Sequence, residues 1–171
     1  MEKLQLREKE IFNILKKLKN FDFVVIGGYS VNLYALPRFS VDCDIVLKDN
    51  SSLKNLLKEI EKFDYIKAKS NVEDLPYHGN FIRYEKDING VKASLDMFIK
   101  NVFDRNTKVN FDSKWIFENS HINILRGKTI NEEIRLRIIN IDALIVMKFI
   151  SCRITDIRDV FMLIPKANDL N

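Results

Sequence analysis

The dipeptide Asn89-Gly90 constrains this chain more than any other local feature. It separates two strand-like runs, 81–88 and 91–99. A two-residue type I′ turn needs positive φ at both central positions, and Asn-Gly is the pair that tolerates this best. The pattern predicts an antiparallel hairpin, so the fold must contain a sheet built around it.

The remaining segments supply elements to surround that hairpin. Residues 3–19 read as an amphipathic helix, with Ile11, Ile14, Leu15 and Leu18 at helical spacing. The apolar run 21–26 reads as a buried strand that ends in Gly27-Gly28, and 30–36 as a short helix stopped by Pro37. Residues 41–47 alternate, with Val41, Cys43 and Ile45 on one face and Asp42, Asp44 and Val46 on the other. Leu53, Leu56, Leu57, Ile60 and Phe63 mark a third helix, introduced by the capping candidates Asn50, Ser51 and Ser52. A less regular stretch, 101–118, precedes alternation near 121–125 and 134–139, and helices are predicted at 141–152 and 156–163. The mixed order predicts an α+β (α/β-like) fold. Its mixed β-sheet should have 41–47 beside 91–99, helices on one side and a short C-terminal helical region. One domain over 1–171 is expected, with 141–171 as a small helical annex.

Composition narrows the class. Hydrophobic residues make up 46% and charged residues 30% of the 171, with five glycines and three prolines, which excludes disordered and collagen-like chains. The most apolar run, 141–150, is short and contains Asp142 and Lys148, so no membrane span is expected. The charged N-terminal segment lacks a signal-like apolar core, and a cytoplasmic location is expected. Cys43 and Cys152 belong to no CxxC or Cys/His cluster and are both expected in the core. The net charge of +4 mildly favours an anionic partner, although a solvated surface gives the same number. Lys16, Lys17 and Lys19 fit a solvated helix face, though an anionic, tRNA-like partner would also suit them. His78 and His121 lack a partner pattern, and Trp115 with Phe111 and Phe117 reads as core.

Three features carry chemistry. Gly27-Gly28-Tyr29-Ser30 lies at a strand–helix junction, where glycine lets a ligand approach the backbone and a helix N-terminus offers N–H groups to an anion. A plain tight turn is the alternative. Asp42-Cys43-Asp44 places two carboxylates on one strand face. Their repulsion favours a divalent cation, with an exposed edge strand as the alternative. Asp96 lies among Leu95, Met97 and Phe98 on the second hairpin strand. If that strand neighbours 41–47, three carboxylates meet, a set able to hold two metals about 4 Å apart for phosphoryl transfer.

The glycine pair, the D-x-D and the later strand Asp together resemble the nucleotidyltransferase signature of the DNA polymerase β-like superfamily. Gly27-Gly28-Tyr29-Ser30-Val31-Asn32-Leu33 followed by Arg38-Phe39-Ser40-Val41-Asp42-Cys43-Asp44 is most similar to the AbiEii-type and minimal nucleotidyltransferases, among them toxins of toxin–antitoxin pairs. Lys148, Arg153 and Asp156-Ile157-Arg158-Asp159 are similar to that group's lysine and following helix start, in a looser form. The resemblance spans roughly residues 20–163. It implies Mg²⁺- or Mn²⁺-dependent transfer of a nucleoside monophosphate from an NTP, ATP among them, to a hydroxyl of RNA, such as a tRNA end, or of a partner protein. It makes Asp42, Asp44 and Asp96 catalytic metal ligands. Gly27, Gly28 and Ser30 would hold the triphosphate; Arg38 and Ser40 would support the loop or touch phosphate. Lys148 is read either as a snorkelling lysine or as a phosphate contact, and Asp159 as orienting Lys148 or Arg38 or capping a helix. A cognate antitoxin is an implied partner. The alternatives are a nucleotide-binding protein without turnover and an antitoxin-like interaction module.

Overall fold

The structure is a computed structural model that describes residues 2–51, 53–68 and 81–167. Ser52 and His78 lie outside the described residues. The Asn89-Gly90 turn forms as expected: Asn89 has φ 54° and Gly90 φ 78°, and Ile88 pairs with Val91 between strands β4 (Phe81–Ile88) and β5 (Val91–Ile99).

Around this hairpin a seven-stranded sheet assembles. Its other strands are β1 (Val24–Ile26), β2 (Asp42–Leu47), β3 (Ile66–Lys67), β8 (Ser120–Leu125) and β9 (Ile134–Ile139), in the spatial order β3-β4-β5-β2-β1-β9-β8. The sheet is mixed. Strand β2 runs parallel to β5 and antiparallel to β1, while β1 runs parallel to β9. The predicted neighbours 41–47 and 91–99 are therefore paired, with Asp42 opposite Ser94 and Asp44 opposite Asp96.

Helices cover both sheet faces rather than the single face expected. On one face α1 (Glu2–Leu18) and α3 (Leu53–Glu61) bury Ile11, Leu15, Leu56 and Ile60 against Cys43, Ile45, Leu95 and Met97. On the other, α4 (Ser113–Glu118) and α5 (Ile141–Ser151) pack Ile116 and Leu144 with Val46, Phe98 and Ile139. Strand period two explains the arrangement: β2 and β5 carry apolar residues on both faces, so each face needs a cover.

The C-terminal region adds α6 (Ile154–Leu163) and a 3₁₀ turn, Ile164–Lys166. The irregular stretch 101–118 contains a two-stranded ladder of β6 (Asn101–Phe103) and β7 (Asn110–Asp112) before α4. Cys43 is buried as expected, but Cys152 is exposed. It takes the left-handed cap position after α5 (φ 48°), a place outside the core that spacing along the helix does not reveal.

Candidate active site

Where β1 ends, the chain turns directly into α2 (Gly27–Tyr34), so the glycine pair forms the first turn of the helix itself. Gly27 sits at φ 67°, and a methyl group on its Cα would run into Asp44 Oδ2. Gly28 packs as closely on the next segment, where a methyl would collide with Ser40 Oγ and stand 3.2 Å from Arg38 Nη2. Glycine is thus required twice, to turn the backbone and to let β2 and the 38–40 loop close over it. Gly27→Ala is expected to lose about 1–2 kcal/mol through left-handed strain alone, with the Asp44 collision adding to it. Urea denaturation measures this, and an unchanged midpoint would contradict it.

On β2, Asp42 and Asp44 share the face predicted for them, and Asp96 joins them from β5. The three carboxylates belong to one cleft of about 520 Å³, whose wall also includes Gly28, Arg38, Ser40 and Lys148. Burial pushes the Asp44 carboxyl well above its ordinary range, and Asp42 and Asp96 push the same way. Ser30 is different. It is fully buried and its hydroxyl donates to Val25 O at 2.8 Å, so its side chain fastens the strand–helix junction and does not line the cleft.

Arg83, which belongs to none of the sequence motifs, joins the site. From β4 it donates to both oxygens of Asp96, Nε to Oδ1 at 2.6 Å and Nη2 to Oδ2 at 2.5 Å, and Nη2 also reaches Asp42 Oδ2 at 3.3 Å. Burial raises the Asp96 carboxyl; Arg83 pulls it down, yet the net position stays above the ordinary value. The signal was present. A two-residue turn at Asn89-Gly90 sets Ile88 opposite Val91 and, five pairs further on, Arg83 opposite Asp96.

A second ionic group shares this cleft wall. Asp159 on α6 is 1% exposed and accepts from Arg38 Nε at 2.8 Å and Nη2 at 2.6 Å, and Lys148 Nζ lies 3.0 Å from its Oδ2. Lys148 also donates to Asp156 Oδ1 at 2.6 Å. The remaining oxygen of Asp156 accepts from Ser151 Oγ at 2.8 Å and from Arg153 N at 3.3 Å, closing the first turn of α6. Burial pushes the Asp159 carboxyl up, but Arg38 and Lys148 outweigh it and hold the group below its ordinary value. Lys148 therefore does not snorkel. It is a buried cation that ties α5 to α6 at the cleft wall.

The donor set bears directly on a metal. Hard carboxylate oxygens on neighbouring positions suit Mg²⁺ or Mn²⁺, which take one or two carboxylates and complete their shell with water and phosphate. Asp42 and Asp44 fit that description. Asp96 in this arrangement gives both oxygens to Arg83, and among the described residues no group of three or more His, Cys, Asp or Glu side chains stands in metal-holding geometry. Also among the described residues, no helix is long and apolar enough to cross a membrane.

This fold, a mixed sheet whose paired strands carry the acidic residues beside a glycine-initiated helix, is that of the nucleotidyltransferases. Residues 2–164 match the model of the family described as "Nucleotidyltransferase of unknown function (DUF6036)", and the chain belongs to that family. Among solved structures, JHP933 of Helicobacter pylori is similar at 22% identity and a TM-score of 0.56, over 95% of this chain and 66% of that one. A candidate nucleotidyltransferase of Thermotoga maritima is similar at 13% identity and a TM-score of 0.54, over 93% of this chain and 92% of its own. A candidate nucleotidyltransferase of H. pylori shows 21% identity and a TM-score of 0.52, over 94% and 66%. The chain thus spans just under two thirds of the H. pylori chains, and these likenesses establish the fold. No curated protein matches the sequence.

Proposed function

We propose that this protein transfers a nucleoside monophosphate from an NTP to a hydroxyl of an RNA or protein acceptor, with pyrophosphate leaving, in a Mg²⁺- or Mn²⁺-dependent reaction. The observation that carries the reading is the register of β2 on β5, which brings Asp42, Asp44 and Asp96 to one face of one cleft. A bound divalent cation would supply neutralisation of the phosphates and a lowered pKa for the acceptor hydroxyl. Asp42 and Asp44 are the residues to hold it. The first turn of α2 has no side-chain cap, which leaves its backbone N–H groups to an anion such as the triphosphate. Arg38 and Lys148 contribute positive charge to the same cleft, although each already shares Asp159. Their role is to hold the wall in place and to lend charge to phosphate without collapsing onto the carboxylates.

Arg83 gives Asp96 a cationic partner until the acceptor arrives. Once released, Asp96 is placed to take the acceptor proton or to complete the ligand set. Similarity in the glycine and D-x-D segments to the AbiEii-type and minimal nucleotidyltransferases supports a toxin-type role, with a cognate antitoxin as partner. Retention of all three carboxylates favours turnover over nucleotide binding alone.

The test is incubation of the protein with each labelled NTP, Mg²⁺ or Mn²⁺, total RNA and candidate protein acceptors. Transfer of label to one acceptor is expected, with loss of both labelling and NTP affinity in Asp42→Asn protein. NTP binding that is indifferent to EDTA and to Asp42→Asn would overturn the reading.

A further inference from the structure

Among the cations of the cleft, Arg38 and Lys148 share Asp159, whereas Arg83 is held by two of the carboxylates proposed to carry the chemistry. Its Nη2 stands between them, 2.5 Å from Asp96 Oδ2 and 3.3 Å from Asp42 Oδ2, while Nε takes the other oxygen of Asp96. A cation that bridges two carboxylates does what a shared metal ion would do, so Arg83 and such an ion compete for the same oxygens. They do not fit together there, because like charges on common ligands repel strongly in a partly desolvated cleft. Exposure separates the two carboxylates. The Asp96 side chain is 2% exposed and needs a cationic partner at all times, whereas that of Asp42 is 36% exposed and shares its strand face with Asp44. Register makes the grip part of the hairpin, since Arg83 lies directly opposite Asp96. The Arg83 side chain is nevertheless 23% exposed and rich in rotamers, so the guanidinium can swing to another anion while the strands stay paired.

We infer that Arg83 is a built-in cation that keeps a second metal position shut. At rest the chain holds one divalent ion, through Asp42 and Asp44, and Arg83 has to leave Asp96 before a second ion can be held. The inference rests on the metal-dependent reading above and adds how that site is regulated. Incoming phosphate offers the guanidinium a planar, bidentate anion in place of Asp96. Metal loading is thereby tied to the presence of substrate: the third carboxylate joins a ligand set only after its resident cation has been drawn off. Arg83 is on this account a positioning residue, acting through Asp96 and Asp42.

The experiment titrates Mn²⁺ into the full chain without nucleotide and counts bound ions from the paramagnetic resonance signal of the free ion, for wild type, Arg83→Gln and Asp42→Asn. Wild type should hold one ion, and Asp42→Asn should lose it. Arg83→Gln, folded by circular dichroism, should hold two, with the second about tenfold or more tighter than any second ion in wild type. Loss of a nearby positive charge would by itself only tighten the one ion already bound, so the count separates a shut position from simple repulsion. A wild-type chain that takes two ions readily before nucleotide, or a folded Arg83→Gln chain that still takes one, overturns the inference alone, provided that the ion remains sensitive to Asp42→Asn. Should Arg83→Gln fail to fold, Arg83→Lys, which keeps the charge without the paired donors, should take the second ion more tightly than wild type, and an unchanged count and affinity would overturn the inference. Absence of any Asp42-dependent Mn²⁺ binding, with or without NTP, overturns it together with the functional reading.

Discussion

Asp96→Asn protein is expected to fold and bind NTP, yet to transfer nucleotide roughly 10²–10⁴-fold more slowly than wild type. Asp96 is 1% exposed, and burial already holds its carboxyl above its ordinary value, so its charge is kept in the folded chain at a cost. The amide has the same shape without that charge. Arg83, whose side chain is 23% exposed, retains water and the Asp42 contact at 3.3 Å, so no fully buried cation is stranded. Stability should therefore stay within about 1 kcal/mol of wild type, in contrast to the loss expected when a deeply buried pair is broken. Transfer suffers because an amide cannot accept the acceptor proton or match the cationic charge there. Asp42→Asn and Asp44→Asn should differ by also weakening Mg·NTP binding, the role proposed for those two carboxylates. Single-turnover labelling with calorimetry on the same preparations separates the two patterns. Labelling by Asp96→Asn protein at near wild-type rate would remove Asp96 from the catalytic set.

Asp159→Ala should produce the largest loss of stability, about 3 kcal/mol or more by urea denaturation. One carboxylate neutralises both Arg38 and Lys148, whose side chains are only 17% and 11% exposed. Removing it leaves two poorly solvated cations facing each other across the cleft wall, with Asp156 as the sole remaining carboxylate partner of Lys148 among the described residues. The pH dependence has a definite sign. Asp159 is held below its ordinary value in the folded chain, so its contribution is present above the unfolded carboxyl pKa of about 4 and disappears as pH falls through the folded value. The variant should consequently show a shallower loss of stability on acidification than wild type. Equal urea midpoints at neutral pH, or parallel acid titrations, would show that the network contributes little.

Much of the site is legible in the order of the residues. The turn at Asn89-Gly90 sets the hairpin and, through its register, the meeting of Arg83 with Asp96; the second consequence needs only counting back along the strands. Period two places Asp42 and Asp44 together, and the glycine pair marks a close backbone approach. A hydroxyl beside a glycine turn looks the same in sequence whether it lines the cleft or, as Ser30 does, bonds back to Val25.

The order of residues dictates local features: turn chemistry, the alternation that gives each strand residue its face, and the positions where only glycine fits. These follow from backbone dihedrals and side-chain sterics within a few residues. Long-range packing joins Arg38 and Asp159, 121 positions apart, in a bidentate pair and buries Lys148 between two carboxylates of α6. It also puts helices on both faces of the sheet. Such pairings depend on how whole helices settle on the sheet. Packing of the complete core fixes that placement, and residue spacing along the chain carries no record of it.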